Sequence, residues 1–361
     1  MMGLLGSTAA VGYQRFIIDT AMFFGLFVTV AMALNFQYGN AGVPNMACAL
    51  SASIGGYTVS AIVTRIIYWI GLQAGLGVLP VASISTWRHN NDLNTHIMNE
   101  YLAEHAFLGI TIFIFSLALG FFAGWALGYV ISLPAIRLRA TYLIIGLITM
   151  TDLSQLLTKI IVPISGGTRG MFVPNVLAWY PGDRTILIVV VTLTTCLVCY
   201  LFLRRMLNSP YGRLMRAVRE NDLTVNSIGK DATAIRRNVL MFGSGITAVL
   251  GVLLAYYYCY SIGGGFNMST WTYWPWMMLV IGGLGNYAGT YVGCALVIAM
   301  RRLIIFSKWH LARLIWFPIV IFEQQLLGLL FLLILILRPN GLIPERPLHI
   351  AGIDYRRLMT E

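Results

Sequence analysis

Three polar side chains inside one apolar segment have the clearest potential for chemistry. Asp152 and Lys159 are seven positions apart, with Gln155 between them. In an α-helix this spacing puts the two charged groups about two turns apart on nearly the same face. Because ionisable groups are costly inside a membrane, they indicate a polar pathway by default, although the two charges could instead form a packing pair. Glu323 lies near the end of another apolar segment, where it can face water.

Further candidate pathway residues lie at two predicted interruptions of apolar helices. They are the amide residues Asn35, Asn40 and Asn45 and the glycines Gly282, Gly283 and Gly285. The amides can hydrogen-bond backbone groups that a helix break frees, or they can contact a solute. The segment 39–50 also resembles 285–296, and matched breaks in two halves of a chain are typical of transporters with a pathway at a repeat interface. The alternative is that small residues recur wherever membrane helices pack closely.

Motifs for catalysis, phosphate binding and metal binding are missing from the sequence. Gly229 and Lys230 are followed by Asp231, so there is no GxxxxGK[ST] loop, and HExxH is also absent. Cys196 and Cys199 are one helical turn apart in an apolar run, which favours packing over metal or redox chemistry. The five histidines lack ligand spacing: His89, His96, His105, His310 and His349. We therefore expect no enzyme activity, no metal and no cofactor.

The composition indicates which elements hold these residues. Of 361 residues, 58% are hydrophobic and only 10% are charged, against roughly 25% charged in soluble proteins. The apolar residues form runs near the ~20 residues that span a bilayer. The runs lie at about 16–36, 46–72, 107–133, 141–163, 185–203, 239–260, 273–300 and 314–337. The sequence therefore predicts an all-α polytopic membrane protein, one transmembrane domain over 1–361, with about eight crossings within a range of seven to ten.

The distribution of charge orients these spans. The chain has 24 Lys+Arg and 13 Asp+Glu, a net charge of +11, and eight of the cations fall within 204–237. Because cations concentrate in cytoplasmic loops, we place the loop at about 204–237 in the cytoplasm. The polar segments at about 85–105 and 164–184 are then external loops. A basic balance with this origin does not indicate a nucleic-acid partner.

The tail after Leu337 is also expected to be cytoplasmic. Its cations are Arg338, Arg346, Arg356 and Arg357. This placement requires an even number of crossings after the basic loop. The run 273–300 contains several glycines and can satisfy the requirement as two half-helices or as a re-entrant segment, and the side of Arg301 and Arg302 depends on which of these forms.

The most informative part of the basic loop is the stretch from Asn208 to Gly229. Ser209 can cap a helix whose first position is Pro210, and Gly229 can end it. Four apolar side chains fall near one face: Leu214, Val218, Val225 and Ile228. The pattern predicts a short amphipathic helix under the membrane. Its outer face either touches lipid headgroups or, as we favour, forms a docking surface for a cytoplasmic partner.

The stretch 209–229 resembles the cytoplasmic coupling segment of a known family, the membrane-spanning permeases of bacterial and archaeal ABC importers for branched-chain amino acids, in the LivM-like branch. Further blocks similar to this family occur in the family's order: 33–42, 54–57, 137–143, 165–167, 281–285 and 337–342. The resemblance covers roughly residues 30–345. It departs from the family at 45–48, where Asn-Met-Ala-Cys replaces a Ser-Leu-Gly-His-like run, and this departure leaves the cargo open.

The resemblance implies half of a heterodimeric translocation pathway for branched-chain or related small amino acids, in the inner or plasma membrane of a prokaryote. The implied partners are the lipid bilayer, a homologous LivH-like permease, two ABC ATPase subunits and an extracytoplasmic solute-binding protein. Asp152 matches a position where the family usually has Glu, which favours a gating role. The resemblance assigns ATPase coupling to Arg216, Arg219, Glu220, Asp222, Ile228 and Gly229.

Two alternative functions stay open at this point. A permease for urea or short amides belongs to the same wider family and differs in cargo. An ATPase-independent channel or secondary carrier is the rival from a different class, because composition and charge pattern fit it equally well.

Overall fold

The computed structural model describes residues 2–79, 84–138, 140–307 and 319–345, and these ranges are almost entirely helical. The helices are α1 (Met2–Leu34), α2 (Cys48–Thr58), α3 (Thr64–Gln73), α4 (Ile84–Glu104), α5 (Ala106–Arg137), α6 (Ala140–Ile160), α7 (Val162–Ser165), α8 (Arg184–Asn208), α9 (Pro210–Glu220), α10 (Asp222–Ser227), α11 (Ala232–Tyr258), α12 (Trp274–Gly282), α13 (Tyr287–Phe306) and α14 (Ile319–Leu337). Single π-helical turns adjoin α1, α2 and α12 at Asn35–Gly39, Val59–Val63 and Ser269–Tyr273. The short strands β1 (Met171–Phe172) and β2 (Tyr260–Ser261) pair antiparallel.

Some residues singled out above lie outside the described ranges. They are Arg139, His310, His349, Arg346, Arg356, Arg357 and the start of the predicted span 314–337.

The predicted all-α, multi-pass architecture is confirmed. In the described part of the chain, seven helices are long and apolar enough to cross a membrane, and Ile321–Leu337 is a shorter apolar helix. The seven are Gln14–Gly39, Cys48–Gln73, Ala106–Ala135, Thr141–Ile160, Arg184–Asn208, Ala232–Tyr258 and Tyr287–Phe306. The predicted run 273–300 is not one span: α12 ends at Gly282, and α13 begins at Tyr287. Helix α12 has 9 residues, whereas α13 has 20 residues and is itself of membrane length.

Helix α11 is the centre of the bundle. In its apolar, membrane-length part 94% of the residues are buried, whereas in that of α6 only 22% are buried. It packs on α5 and α2, and small residues allow the closest approach. A Cβ added at Gly251 would lie 1.8 Å from the Ala52 carbonyl oxygen, and one added at Gly55 would lie 1.8 Å from the Ala248 carbonyl oxygen. The α2 and α11 backbones are therefore in direct contact. Such close contact increases the van der Waals attraction between the helices, which matters in a membrane because lipid tails are as apolar as the side chains.

The bundle has two distinct ends. The basic end carries α9, α10 and the start of α11, and the opposite end carries α4, the β1–β2 pair and the last turn of α11. Glu345 lies 3.0 Å from Arg219, so the chain after α14 returns to the basic end. Arg302 contacts Asp19, and Asp19 contacts Tyr257 in the last turn of α11, so Arg301 and Arg302 lie at the opposite end.

The segment expected to be an external loop at about 85–105 forms most of the helix α4, which is not one of the membrane-length apolar helices of the described residues. Its polarity is explained by amides that bond neighbouring backbone. Asn91 accepts a hydrogen bond from the Phe172 amide at 2.8 Å, and Asn94 bonds both backbone groups of Leu79. Met98, on the same helix, is fully buried. The polar residues Asn91 and Asn94 of this segment therefore satisfy buried backbone groups and do not face water.

Candidate functional site

The basic loop folds into two short helices rather than the single one predicted. Helix α9 ends at Glu220, and Asn221 adopts extended backbone angles before α10 begins. The Asn221 side chain accepts hydrogen bonds from the amides of Leu223 and Thr224, which caps α10. Ser209 occupies the N-cap position of α9 as predicted, but its hydroxyl donates to the Met206 carbonyl and does not cap the helix.

The apolar face of this segment is only partly the predicted one. Val218 and Val225 are buried at 1% and 2% exposure, and Met215 is fully buried beside them. Ile228, however, is 68% exposed, and Leu223 on α10 is 73% exposed. Ile228 leaves the buried face because the chain turns at Asn221, which breaks the helical periodicity that relates it to Val218.

The predicted coupling residues have different environments. Arg216 donates to the carbonyls of Leu207 and Gly212, at 3.1 and 3.3 Å, and so fastens α9 to the end of α8. Asp222 forms an ion pair with Arg236 at 3.1 Å, which joins α10 to α11. Three coupling residues are exposed at the surface of this segment, Glu220, Ile228 and Gly229. Gly229 has a φ of 76°, in the left-handed region that favours glycine after a helix end.

Tyr211 is a further anchor of α9, because its hydroxyl reaches the Ile235 carbonyl at 3.5 Å. Burial raises the pKa of the Tyr211 phenol, since the charged form is poorly solvated there. The phenol is therefore a neutral donor at physiological pH.

Arg219 makes the contacts that join this segment to the rest of the candidate site. Its guanidinium bonds both carboxylate oxygens of Glu345, at 3.0 and 3.3 Å, and it also donates to the Gly39 carbonyl. Gly42, just beyond, packs against the Arg219 side chain. One side chain therefore links α9, the end of the first span and the segment after α14.

The amide side chains at the first helix break bond to the second break. The Asn35 side-chain oxygen (Oδ1) accepts a hydrogen bond from the Gly285 amide at 2.9 Å, and the Asn35 side-chain nitrogen (Nδ2) donates to the Thr290 hydroxyl at 2.9 Å. The Asn40 nitrogen donates to the Asn35 backbone carbonyl at 3.0 Å. Asn35 is fully buried, and Asn40 is 4% exposed. The two segments that resemble each other in sequence thus meet at their breaks.

Asn45 extends this network through Gln37. The Asn45 nitrogen donates to the Gln37 side-chain oxygen at 3.0 Å, and Gln37 donates to the Leu240 carbonyl on α11 at 3.3 Å. The Asn45 oxygen accepts from the Ala47 amide at 2.8 Å. The contact to the Ala47 amide satisfies a backbone group that the break leaves free, which is one of the two roles that the sequence allowed for the amides.

The glycines of the second break let a loop approach closely. The Ile343 amide donates to the Gly282 carbonyl at 3.0 Å. A Cβ at Gly283 would lie 2.3 Å from the Ile343 carbonyl oxygen, and Gly283 has a φ of 116°. A Cβ at Gly285 would lie 2.6 Å from the Glu345 carboxyl carbon. The segment after α14 therefore closes over the second break and places Glu345 beside it.

A polar cavity of about 430 Å³ opens where these parts meet at the basic end. Its lining includes Asn40 and Asn286 from the two breaks, Arg204 from α8, Arg216 from α9, and Glu345. Such a cavity can admit a small polar solute or several waters between the helix breaks and the basic loop.

The structure does not bring the Asp152 group to this site. Asp152 and Lys159 are both exposed on α6, and within the described residues they do not form an ion pair. The Gln155 side-chain nitrogen is buried without a hydrogen-bond partner in the described part of the chain. Lys159 instead packs against Gly264 near the opposite end.

Sequence reasoning missed Glu345 and Thr290 as members of the site. Glu345 follows the block 337–342 that was used for the resemblance, and this proximity was the available signal. Thr290 lies in the segment 285–296 that resembles 39–50, but a hydroxyl in a small-residue helix carries no distinct signal of its own. Among the described residues, no group of three or more His, Cys, Asp or Glu side chains is placed to hold a metal ion.

Membrane-length helices, two facing helix breaks and a basic amphipathic segment outside the spans are the features of a multi-pass membrane protein. Comparison with known proteins gives the family. Residues 16–337 match the family described as branched-chain amino acid transport system / permease component, and the chain belongs to that family. It is a LivM-like permease subunit of an ABC-type transport system that has other subunits.

Individual relatives agree with this assignment. The chain is 32% identical over 330 residues to the probable branched-chain amino acid transport permease protein LivM of Methanocaldococcus jannaschii, covering 91% of this chain and 93% of that relative. It is 22% identical over 245 residues to the high-affinity branched-chain amino acid transport system permease proteins LivM of Salmonella typhimurium and Escherichia coli, covering 61% of this chain and 54% of each relative. No solved structure matches the chain significantly.

Proposed function

We propose that this chain forms one half of a translocation pathway for branched-chain or related small amino acids and that ATPase subunits drive it by docking on α9 and α10. The observation that carries the proposal is the position of Arg219. This residue of the candidate docking segment bonds both Glu345 and the Gly39 carbonyl at the first helix break. A force applied to α9 therefore has a direct route to the break. The contact from Asn35 to Gly285 extends that route to the second break.

The docking surface consists of Glu220, Leu223, Ile228 and Gly229. Leu223 and Ile228 are 73% and 68% exposed, although both are large and apolar. Two exposed large apolar side chains on one short segment are typical of a surface that a partner covers. Arg216 and Asp222 lie behind this surface and fasten it to α8 and α11. Closure of the ATPases around ATP would then tilt these two spans.

The cargo and the partners follow by analogy with the relatives. Their descriptions name branched-chain amino acid transport, and we propose the same cargo class here. The partners would be a LivH-like permease, two ABC ATPases and an extracytoplasmic solute-binding protein, in a prokaryotic inner or plasma membrane. ATP hydrolysis would belong to the ATPases, because the sequence of this chain has no phosphate-binding GxxxxGK[ST] loop. The chain itself would not be an enzyme.

Asp152 and Gln155 remain candidate pathway residues on a different surface. Asp152 is exposed on α6, a helix that is largely unburied in this subunit. A second permease could cover this surface and so enclose Asp152 in a pathway between the subunits.

The double substitution Leu223→Asp with Ile228→Asp tests the docking surface. Both positions are exposed, so the chain itself should fold normally. The expected result is about a tenfold or greater loss of ATPase subunits co-purifying with the tagged chain, because two central apolar contacts become charged. The matched control is Leu93→Asp, at a position 52% exposed on α4 at the opposite end. Full co-purification and transport by the double variant would contradict the proposal.

The same preparations separate the two alternatives. Leucine uptake that continues without ATPase subunits and stops when the ion gradient is dissipated would identify a channel or secondary carrier. Binding of urea or short amides, but not leucine, by the cognate solute-binding protein would change the cargo and leave the coupling proposal intact.

A further inference from the structure

A second cavity lies at the opposite end of the bundle, between α1, α11 and α13. Its volume is about 330 Å³, and its lining includes Asp19, Phe23, Phe27, Tyr257, Ile298 and Arg302. Sites for small molecules have volumes of roughly 300–1,000 Å³, so this cavity suits a small solute. The charged groups come from two membrane-length helices, where ionisable residues indicate function by default.

The charged groups of this cavity are opposite in sign, and each can accept a further partner. The Asp19 carboxylate accepts one hydrogen bond, from the Tyr257 hydroxyl at 2.7 Å. The Arg302 Nη2 donates to the Asp19 backbone carbonyl at 3.3 Å, and its guanidinium lies 4.4 Å from the Phe23 ring centroid. Neither Asp19 nor Arg302 forms an ion pair with another residue in the described ranges.

The neighbouring cation Arg301 is already compensated. Its Nε donates to Glu323 at 2.7 Å, and its guanidinium lies 4.0 Å from the Trp274 ring centroid. Glu323 is only 7% exposed, so this ion pair is committed to the contact between α13 and α14. Arg302 therefore supplies the positive charge that remains available to a ligand in the cavity.

The geometry points to a binding site for a zwitterionic α-amino acid with a branched aliphatic side chain. The ammonium group bonds to Asp19, and the carboxylate bonds to the planar guanidinium of Arg302. The aliphatic group packs on the apolar part of the lining, which includes Phe23, Phe27 and Ile298. The inference rests on the proposed function for its cargo class. It adds a location, the end of the bundle away from the docking surface, where an imported solute enters.

The competing explanation is that these residues anchor the ends of their spans. Aromatic and arginine side chains are enriched at membrane surfaces, where one part is apolar and another is hydrated. Anchors hold a helix at its depth but do not distinguish ligands by their functional groups. The test therefore compares ligands that lack one functional group each.

The experiment uses the full-length chain in lipid nanodiscs and saturation-transfer-difference NMR on ligand methyl signals, which detects weak binding. The ligands are leucine, leucinol, which lacks the carboxylate, and 4-methylpentanoate, which lacks the ammonium group. Leucine is expected to bind at least about tenfold more tightly than either analogue. Arg302→Gln should weaken leucine binding about tenfold and leave leucinol unchanged, whereas Asp19→Asn should weaken leucine and leave 4-methylpentanoate unchanged.

The control variants are Arg15→Gln, exposed one turn away on α1, and Glu104→Gln, exposed on α4. Both should bind like the unaltered chain. Three results would overturn the site: no signal from leucine, equal binding of leucine and both analogues to the unaltered chain, or the same analogue preference in both pocket variants. The comparison of leucine with its two analogues on the unaltered chain tests the site even where a variant folds poorly. ATP-driven leucine uptake without leucine binding here would overturn only this site, and leucine binding without ATP-driven uptake would overturn only the proposed function.

Discussion

Replacing Arg219 with glutamine is expected to uncouple ATP hydrolysis from transport while the complex still assembles. The side chains of Arg219 and Glu345 are 26% and 34% exposed, so their ion pair is intermediate between a fully exposed pair and a buried one. Exposed pairs contribute about 0–1 kcal/mol, and breaking a buried pair costs about 3–5 kcal/mol. We place the Arg219–Glu345 interaction at about 1–2 kcal/mol, because it is bidentate but reached by water.

Arg219 should matter more than its partner. Arg219→Gln removes the ion pair and also the charged donor to the Gly39 carbonyl, for a total of about 2–3 kcal/mol. Glu345→Gln removes only the ion pair. Since 1–2 kcal/mol corresponds to about a 5–30-fold change in an equilibrium and 2–3 kcal/mol to about a 30–160-fold change, transport per ATP should fall by about 30–160-fold in Arg219→Gln and by about 5–30-fold in Glu345→Gln. The double variant should be no worse than Arg219→Gln alone, because the two residues share one interaction.

The assay measures leucine uptake and ATP hydrolysis together, with the complete transporter reconstituted in proteoliposomes. The matched control is Arg213→Gln, which removes an exposed arginine from the same helix. Equal coupling ratios in Arg219→Gln and Arg213→Gln would refute the role assigned to Arg219. Additive losses in the double variant would show that Arg219 and Glu345 act independently, and this result too would contradict the argument.

Two further substitutions test the supporting structure. Gly251→Ala should lower the melting temperature of the purified chain markedly, because the new Cβ would lie 1.8 Å from the Ala52 carbonyl oxygen. The control Gly146→Ala should leave the melting temperature unchanged, because no atom lies within 4 Å of its new Cβ. Equal melting temperatures of the two variants would disprove direct backbone contact between α2 and α11. Asn221→Ala should destabilise α10 by about 1 kcal/mol and speed hydrogen exchange of the Thr224 amide about fivefold; unchanged exchange would show that the cap does not stabilise α10.

The candidate site could be predicted only in part. Arg219, Asn35 and Gly285 were all selected from the sequence, but as members of separate groups. That they form one connected network was not foreseeable, because hydrogen bonds between residues 250 positions apart leave no mark in local spacing. Glu345 was missed for the same reason. Their roles in coupling and in the pathway remain predictions.

The surroundings of two residues were decided by packing and not by the local sequence pattern. Its position near a span end allowed Glu323 to face water, but α13 brings Arg301 against it, and Glu323 is 7% exposed. Ile228 was placed on a buried face by helical periodicity, but the chain turns at Asn221, and the side chain is 68% exposed. In both cases the local pattern was read correctly, and a neighbouring element or a single break changed what the residue contacts.

The sequence by itself determined that this chain is an all-α polytopic membrane protein with interrupted helices. Span length, apolar periodicity and glycine content act over tens of residues and do not depend on the rest of the fold. Only the tertiary structure decided that the two breaks face each other, that Arg219 reaches both Glu345 and Gly39, and that Asp19 meets Arg302. Those contacts depend on how helices distant in sequence pack side by side, and packing is set by the shape of whole helix faces rather than by any one segment.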